Sequence, residues 1–218
     1  MLMTKHGHSC VRLEKDGIVL VLDPGTLSRV PEALEGANAI LVTHEHPDHI
    51  DQETVLAFMA SNPALELYAP GGVAARLADA APGIESRIHH LDAGQSAELV
   101  GFQVRAVGGQ HALIHPRIPV VANLGYVIDE TLYHPGDSFI VPENAAIQTL
   151  LVPLHAPWSK TAEVIDFVIA VGPERAYPIH DALLNDAGRA LVENLLRSIS
   201  AAHGTTFESL TAGENVNV

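Results

Sequence analysis

Twice along the chain, strand-like runs give way to a pair of strand–helix units, and this repeated order restricts the fold more than any other feature. In the first round, "SCVRLE" and "IVLVLDPG" (Ile18 to Gly25) read as two strands joined by a turn at Asp16-Gly17. "NAILVTH" (Asn38 to His44) is another strand, followed by helical spacing from Gln52 to Ala60 with Asp51 as N-cap. "ALELYAP" then gives a strand, and "GGVAARLADAAPG" a helix stopped by Pro82-Gly83. In the second round, "SAELV", "FQVRAV", "VVANLGYVID" and "TLYH" read as strands from Ser96 onward. "IQTLLVPL" and "RAYPI" are strands separated by a helix over Thr161 to Val171, and an amphipathic helix runs from Asp186 to Ala202. Each round makes a sheet covered by helices, so the expected architecture is α/β in four layers, helix, sheet, sheet, helix: an αββα sandwich. No linker or low-complexity tract interrupts it, and residues 1–218 are expected to form one domain.

The chain is nearly half apolar and poor in aromatic residues, which predicts an aliphatic core. No apolar run approaches the roughly 20 residues of a membrane span, and no apolar h-region follows the first ten residues. The one cysteine, Cys10, excludes an internal disulfide and agrees with a cytoplasmic location; it reads as a small buried residue in the first strand. The net charge is −14, and the 12 lysines and arginines are scattered. A nucleic-acid partner is therefore disfavoured, a small-molecule substrate favoured, and a homo-oligomer left open.

The 13 histidines are clustered. In "LVTHEHPDHIDQE", His44, His46, Asp48 and His49 crowd around Pro47 directly after a strand. Imidazole and carboxylate are good ligands for zinc, manganese or iron. Four such groups in six positions exceed what one tetrahedral ion takes from a single loop, which points to two adjacent ions. Three more polar residues follow strand-like runs: His111, Asp137 and His180. Strand ends that share one rim would bring them to the crowded loop.

With those residues in place, the chain resembles the metallo-β-lactamase-fold superfamily of metal-dependent hydrolases. The resemblance lies in the string His44, His46, Asp48, His49, the early "DPG" with Asp23, and the later His111, Asp137 and His180. The opening "HGHSCVRLEKDGIVLVLDPG" is most similar to the branch of ascorbate-6-phosphate lactonase and its short relatives, where a Gly-His pair (Gly7-His8) begins the first strand. The resemblance implies one ion held by His44, His46 and His111 and a second by Asp48, His49 and His180, with Asp137 bridging. It implies a hydroxide shared by two ions as the nucleophile, with Asp48 orienting the water as the catalytic carboxylate. Asp23 and His8 are expected to support the ligands rather than to bind. Glu45 stands where some redox relatives place a ligating glutamate, but the histidines on both sides fit the hydrolytic pattern.

Other positions stay open at this stage. His115 competes with His111 for the third motif. His155, Trp158 and Lys160 in "PLHAPWSK" are candidates to line the substrate pocket, with Lys160 or Arg117 meeting an anion. His134 reads as a packed strand residue and His89-His90 as surface residues before a turn; His6 and His203 carry no signal. The function expected is hydrolysis of a lactone, ester or phosphodiester. A nuclease or cyclic-nucleotide phosphodiesterase is the alternative among enzymes, and a metal sensor with vestigial catalysis the alternative outside them. Turnover of a generic ester by metal-loaded but not metal-free protein separates enzyme from sensor.

Overall fold

The computed structural model describes residues 1–218. The first half runs β1 (Leu2–Lys5), β2 (Val11–Lys15), β3 (Ile18–Leu22), α1 (Val30–Leu34), β4 (Ala39–Leu41), α2 (Gln52–Ser61), β5 (Glu66–Pro70), α3 (Gly71–Ala80) and β6 (Ile88–Leu91). The second runs β7 (Ser96–Leu99), β8 (Phe102–Gly108), β9 (Leu124–Ile128), β10 (Leu132–His134), β11 (Thr149–Pro153), α4 (Thr161–Val171), β12 (Arg175–Ile179), α5 (Asp186–Ala201), β13 (Thr206–Phe207) and β14 (Asn215–Asn217). The strands form two seven-stranded sheets, ordered β14-β1-β2-β3-β4-β5-β6 and β13-β12-β11-β10-β9-β8-β7. Each begins with antiparallel hairpins and continues in parallel: β3 to β6 in one, β10 to β13 in the other. Strand β14 returns to pair with β1, placing Asn217 opposite Leu2.

The period-two alternation of side chains explains the layers. On β3, Leu20 and Leu22 face the space between the sheets, while Val19 and Val21 face α1 and α2. On β4, Ala39 and Leu41 point inward and Ile40 outward. On β11, Leu151 points inward, and Leu150 and Val152 pack against α4 and α5. One apolar cluster lies between the sheets and one beneath each helical layer, which is the αββα sandwich expected from the order of elements. The helices begin where the chain supplies caps. Asp51 accepts from the Thr54 amide ahead of α2, and Asn185 from the Gly188 amide ahead of α5.

Two sequence expectations change, those for Cys10 and for the strand from Val120. Cys10 is not in the first strand: it is fully buried just ahead of β2, where burial, reinforced by Asp23, pushes its thiol pKa up. His89 and His90 lie in a strand, β6, just before the turn at Ala93-Gly94, with His90 exposed and His89 half-buried, its Nε2 2.5 Å from Glu66 Oε2. The strand expected from Val120 starts only at Leu124, because the preceding backbone serves a loop instead. There Val121 O accepts from the His111 amide and Asn123 O from Gly109. Finally, β1 and the edge strands β13 and β14 are short strands that long-range pairing creates and no local alternation announces.

Candidate metal centre

The polar residues singled out above lie at strand ends along one rim. Asp23 follows β3, the 43–49 loop follows β4, His111 follows β8, Asp137 follows β10, and His180 follows β12. The structure gathers two groups whose ligand-type atoms lie within 4.8 Å of one another. These are His44, His46, His111 and Asp137, and His8, Asp48, His49 and His180. Asp137 faces both: its Oδ1 is 3.0 Å from His49 Nε2, and its Oδ2 is 3.3 Å from His111 Nε2 and 3.2 Å from His180 Nε2.

The "DPG" turn holds the crowded loop in place. Asp23 is completely buried, and its carboxylate accepts from the Thr43 amide (2.7 Å), the Thr43 hydroxyl (2.7 Å) and His49 Nδ1 (2.6 Å). Pro24 O accepts from the Asp51 amide, and the Thr26 amide donates to Pro47 O. Between them Gly25 lies so close that a Cβ would sit 1.9 Å from Asp48 O, so no larger residue fits without moving the loop. Asp23 itself has φ of 46° and His180 has 53°, a region that L residues adopt at a cost and that tends to mark functional positions.

Hydrogen bonding sets the ring tautomers. His111 Nδ1 donates to Ala112 O and His180 Nδ1 to His155 O, both at 2.6 Å, while His49 Nδ1 donates to Asp23. The Thr43 hydroxyl gives its hydrogen to Asp23 and therefore accepts from His44 Nδ1 at 3.0 Å. Each of these four rings engages Nδ1 with an oxygen and turns Nε2 toward the cluster, and an oxygen acceptor behind a histidine is the usual support of a metal ligand. His46 Nδ1 meets His44 Nε2 at 3.1 Å, so a proton or a cation must separate the two nitrogens.

Fit to a cation can be tested on what is left unpaired. His49 Nε2, His111 Nε2, His180 Nε2 and Asp137 Oδ1 are buried without a hydrogen-bond partner, although burying such atoms unsatisfied costs about 1–3 kcal/mol each. They converge, so cations answer all of them at once. The electrostatics agree. Burial holds His44 well below the ordinary histidine pKa, keeping it neutral. Burial alone would raise the Asp137 carboxyl, but His49, with His111 and His180 close against its oxygens, outweighs burial and holds it well below the carboxylate range. For His49, burial opposes charge, yet Asp137 and Asp23 raise its pKa well above the usual value.

The remaining candidates separate cleanly. His111, not His115, reaches the cluster: His115 is exposed, and its Nδ1 accepts from the Arg117 amide. Trp158 reaches it too, with Nε1 donating to Asp137 Oδ2 at 2.8 Å and the ring edge-on to His111 and His180. His155 contributes its carbonyl while its side chain is exposed. Lys160, 83 % exposed, turns to Glu163 at the start of α4, and Arg117 is exposed on its loop. Glu45 turns to Arg76. His134 is buried in β10, with Nε2 directed at Ser9 O. Sequence reasoning passed over Asn123, which is buried, accepts from the Asp137 amide and donates to Pro135 O. Its only signal was a polar residue inside the apolar run expected as a strand from Val120.

Comparison with known proteins adds the family. Residues 2–180 match the family described as a beta-lactamase superfamily domain. This chain belongs to that family. It is 40 % identical over 215 residues to Protein Rv0786c of Mycobacterium tuberculosis, covering 96 % of each chain. A UPF0173 metal-dependent hydrolase of Methanocaldococcus jannaschii is 24 % identical over 189 residues, covering 82 % of this chain and 83 % of that one. In three dimensions it is similar to Igni18, a metallo hydrolase of Ignicoccus hospitalis, with TM-score 0.74, 19 % identity and coverage of 99 % and 97 %. With that family, its fold and a site built for cations, the chain is a metal-dependent hydrolase of the metallo-β-lactamase fold. No helix is long and apolar enough to cross a membrane.

Proposed function

We propose that this metal-dependent hydrolase uses two divalent ions, zinc or else manganese or iron, to cleave a small-molecule lactone, ester or phosphodiester. His44, His46 and His111 would hold one ion, Asp48, His49 and His180 the other, and Asp137 would face both. The observation that carries this reading is the convergence of buried unpaired atoms, His49 Nε2, His111 Nε2, His180 Nε2 and Asp137 Oδ1, on one rim. Such a pair of ions supplies Lewis-acid charge and a water acidic enough to act as a nucleophile near neutral pH.

The chain's own residues do the rest. Asp23 and the carbonyls of Ala112 and His155 fix His49, His111 and His180 before any ligand arrives, so little reorganisation remains. Asp48, only partly buried, is the carboxylate placed to orient an attacking water and take its proton. Trp158 holds Asp137 from the solvent side and, partly exposed, lies where a substrate would first touch the site. The scattered cations support a small substrate over a polyanion.

The test is elemental analysis of purified protein, before and after chelation, with a turnover panel of lactones, simple esters and phosphodiesters. About two ions per chain and activity that chelation abolishes and metal restores are expected. Full turnover by metal-free protein would overturn the reading.

A further inference from the structure

His8 is the exception among the histidines at this rim. His49, His111 and His180 each give Nδ1–H to an oxygen and turn Nε2 inward. The Nδ1 of His8 instead faces a donor, the backbone amide of Ala182, at 3.2 Å. An amide N–H cannot accept, so Nδ1 keeps its lone pair and the hydrogen of the neutral ring sits on Nε2. That Nε2 is buried, without a well-aligned hydrogen bond, and lies 3.3 Å from Asp48 Oδ2. The ring has little freedom to turn the other way. It packs 4.0 Å from the His180 ring, and the His8 carbonyl accepts from the His180 amide at 2.8 Å.

By position alone His8 belongs with Asp48, His49 and His180 as a fourth ligand. We propose that it is instead a fixed N–H donor that orients Asp48, so that this group supplies Asp48, His49 and His180 as ligands and not His8. The distinction rests on the metal-dependent reading above and decides what the group can do. Every further protein ligand takes a coordination position that water or substrate would otherwise occupy. A ligand must present a lone pair, and the Ala182 amide denies His8 Nε2 that form. The arrangement has a counterpart across the site. Asp137 Oδ2 accepts from the ring N–H of Trp158, so each carboxylate of the centre is met by one aromatic N–H. His8 is thus a positioning residue that acts through Asp48.

Long-range ¹⁵N–¹H correlation spectra of ¹⁵N-histidine-labelled full-length protein test this directly, with the His8 signals assigned by their loss in His8→Gln. Zinc-free and zinc-loaded protein should both show His8 protonated at Nε2 and bare at Nδ1. Loss of the Nε2 proton on zinc loading, or an Nδ1 proton in either state, overturns the proposal. Two variants supply a second readout. Both His8→Leu and His8→Gln should retain the wild-type zinc count. Leu should lower kcat by about 10–100-fold, the usual cost of losing an outer partner. KM should stay within about threefold, since the lost contact is to Asp48 rather than to substrate. The Gln amide N–H should recover most of that loss. One zinc fewer in His8→Leu, or a Gln variant no better than Leu, overturns the proposal. Failure of the metal-dependent reading looks different, because wild-type protein then binds no zinc either.

Discussion

The two sheets bring their shares of the centre to the rim in different ways. The first sheet supplies His44, His46, Asp48 and His49 from one loop, and side chains orient that loop: Asp23 grips Thr43 and His49, and Thr43 grips His44. The second sheet supplies His111, Asp137 and His180 from three separate strand ends. There the main chain orients both histidines, through Ala112 O and His155 O. A side-chain holder is removed by one substitution, while a carbonyl remains whatever residue carries it. The first half of the site should therefore be fragile at the positions that hold it, and the second half tolerant.

The largest effect is expected where the halves meet. Asp137 is the one carboxylate within 3.3 Å of histidines from both sheets. Asp137→Ala should lower metal content and activity together, by more than the roughly 10–100-fold that loss of an outer partner costs. Elemental analysis and turnover on the same sample check this, and full activity at full metal occupancy would sink the two-ion scheme.

Asp23→Ala comes next and tests fragility in the first half. It leaves the Thr43 amide, the Thr43 hydroxyl and His49 Nδ1 without their common acceptor, all in a fully buried setting. Metal affinity should fall about 10–100-fold. Each orphaned group should also cost about 1–3 kcal/mol of stability in the metal-free protein. Equilibrium dialysis and urea unfolding read the two separately. A variant with native affinity would mean that the loop holds its shape without Asp23.

Gly25→Ala probes the same loop from its backbone side. The new methyl group would meet Asp48 O and the His49 amide, both backbone atoms with no rotamer to yield. Overpacking of this kind costs about 1–3 kcal/mol, and here the upper end is expected. Metal affinity should fall less than in Asp23→Ala, because the hydrogen bonds to Asp23 survive a small shift. A neutral result in urea unfolding would show that the turn and the loop separate easily.

These residues also show how much could be read in advance. The first half of the site was legible because its four candidate ligands lie within six positions of the sequence, and such closeness survives folding. The layers were legible because β3, β4 and β11 alternate apolar side chains, so each strand announces two buried faces. The preference for His111 over His115 came from the resemblance and not from the residues themselves, since both follow the same strand. Only the fold supplies the bonds from the His111 amide to Val121 O and from the Ala112 amide to Asp137 O, which draw that turn of the loop inward. Trp158 was only half legible: its place after β11 suggested the pocket, while its bond to Asp137 depends on a contact across 21 residues. The short strands at the ends of the chain were hidden for another reason. β1 and β14 have few residues, and their pairing joins the two ends of the chain.

The smallest effect should come from the holder of His180. His155 looks in sequence like a ligand or a substrate contact, yet what it gives the centre is its carbonyl, 2.6 Å from His180 Nδ1. Its side chain is exposed, and substitutions of that kind usually change stability by less than about 0.5 kcal/mol. His155→Ala should therefore keep its full metal content and unfold with wild type in urea, in contrast to Asp23→Ala, although both residues stand behind a histidine of the same proposed ion. A KM change for one substrate class with metal content intact would assign the imidazole to substrate and leave the comparison standing. Loss of metal would break it, because the imidazole would then matter to the centre beyond the carbonyl that orients His180.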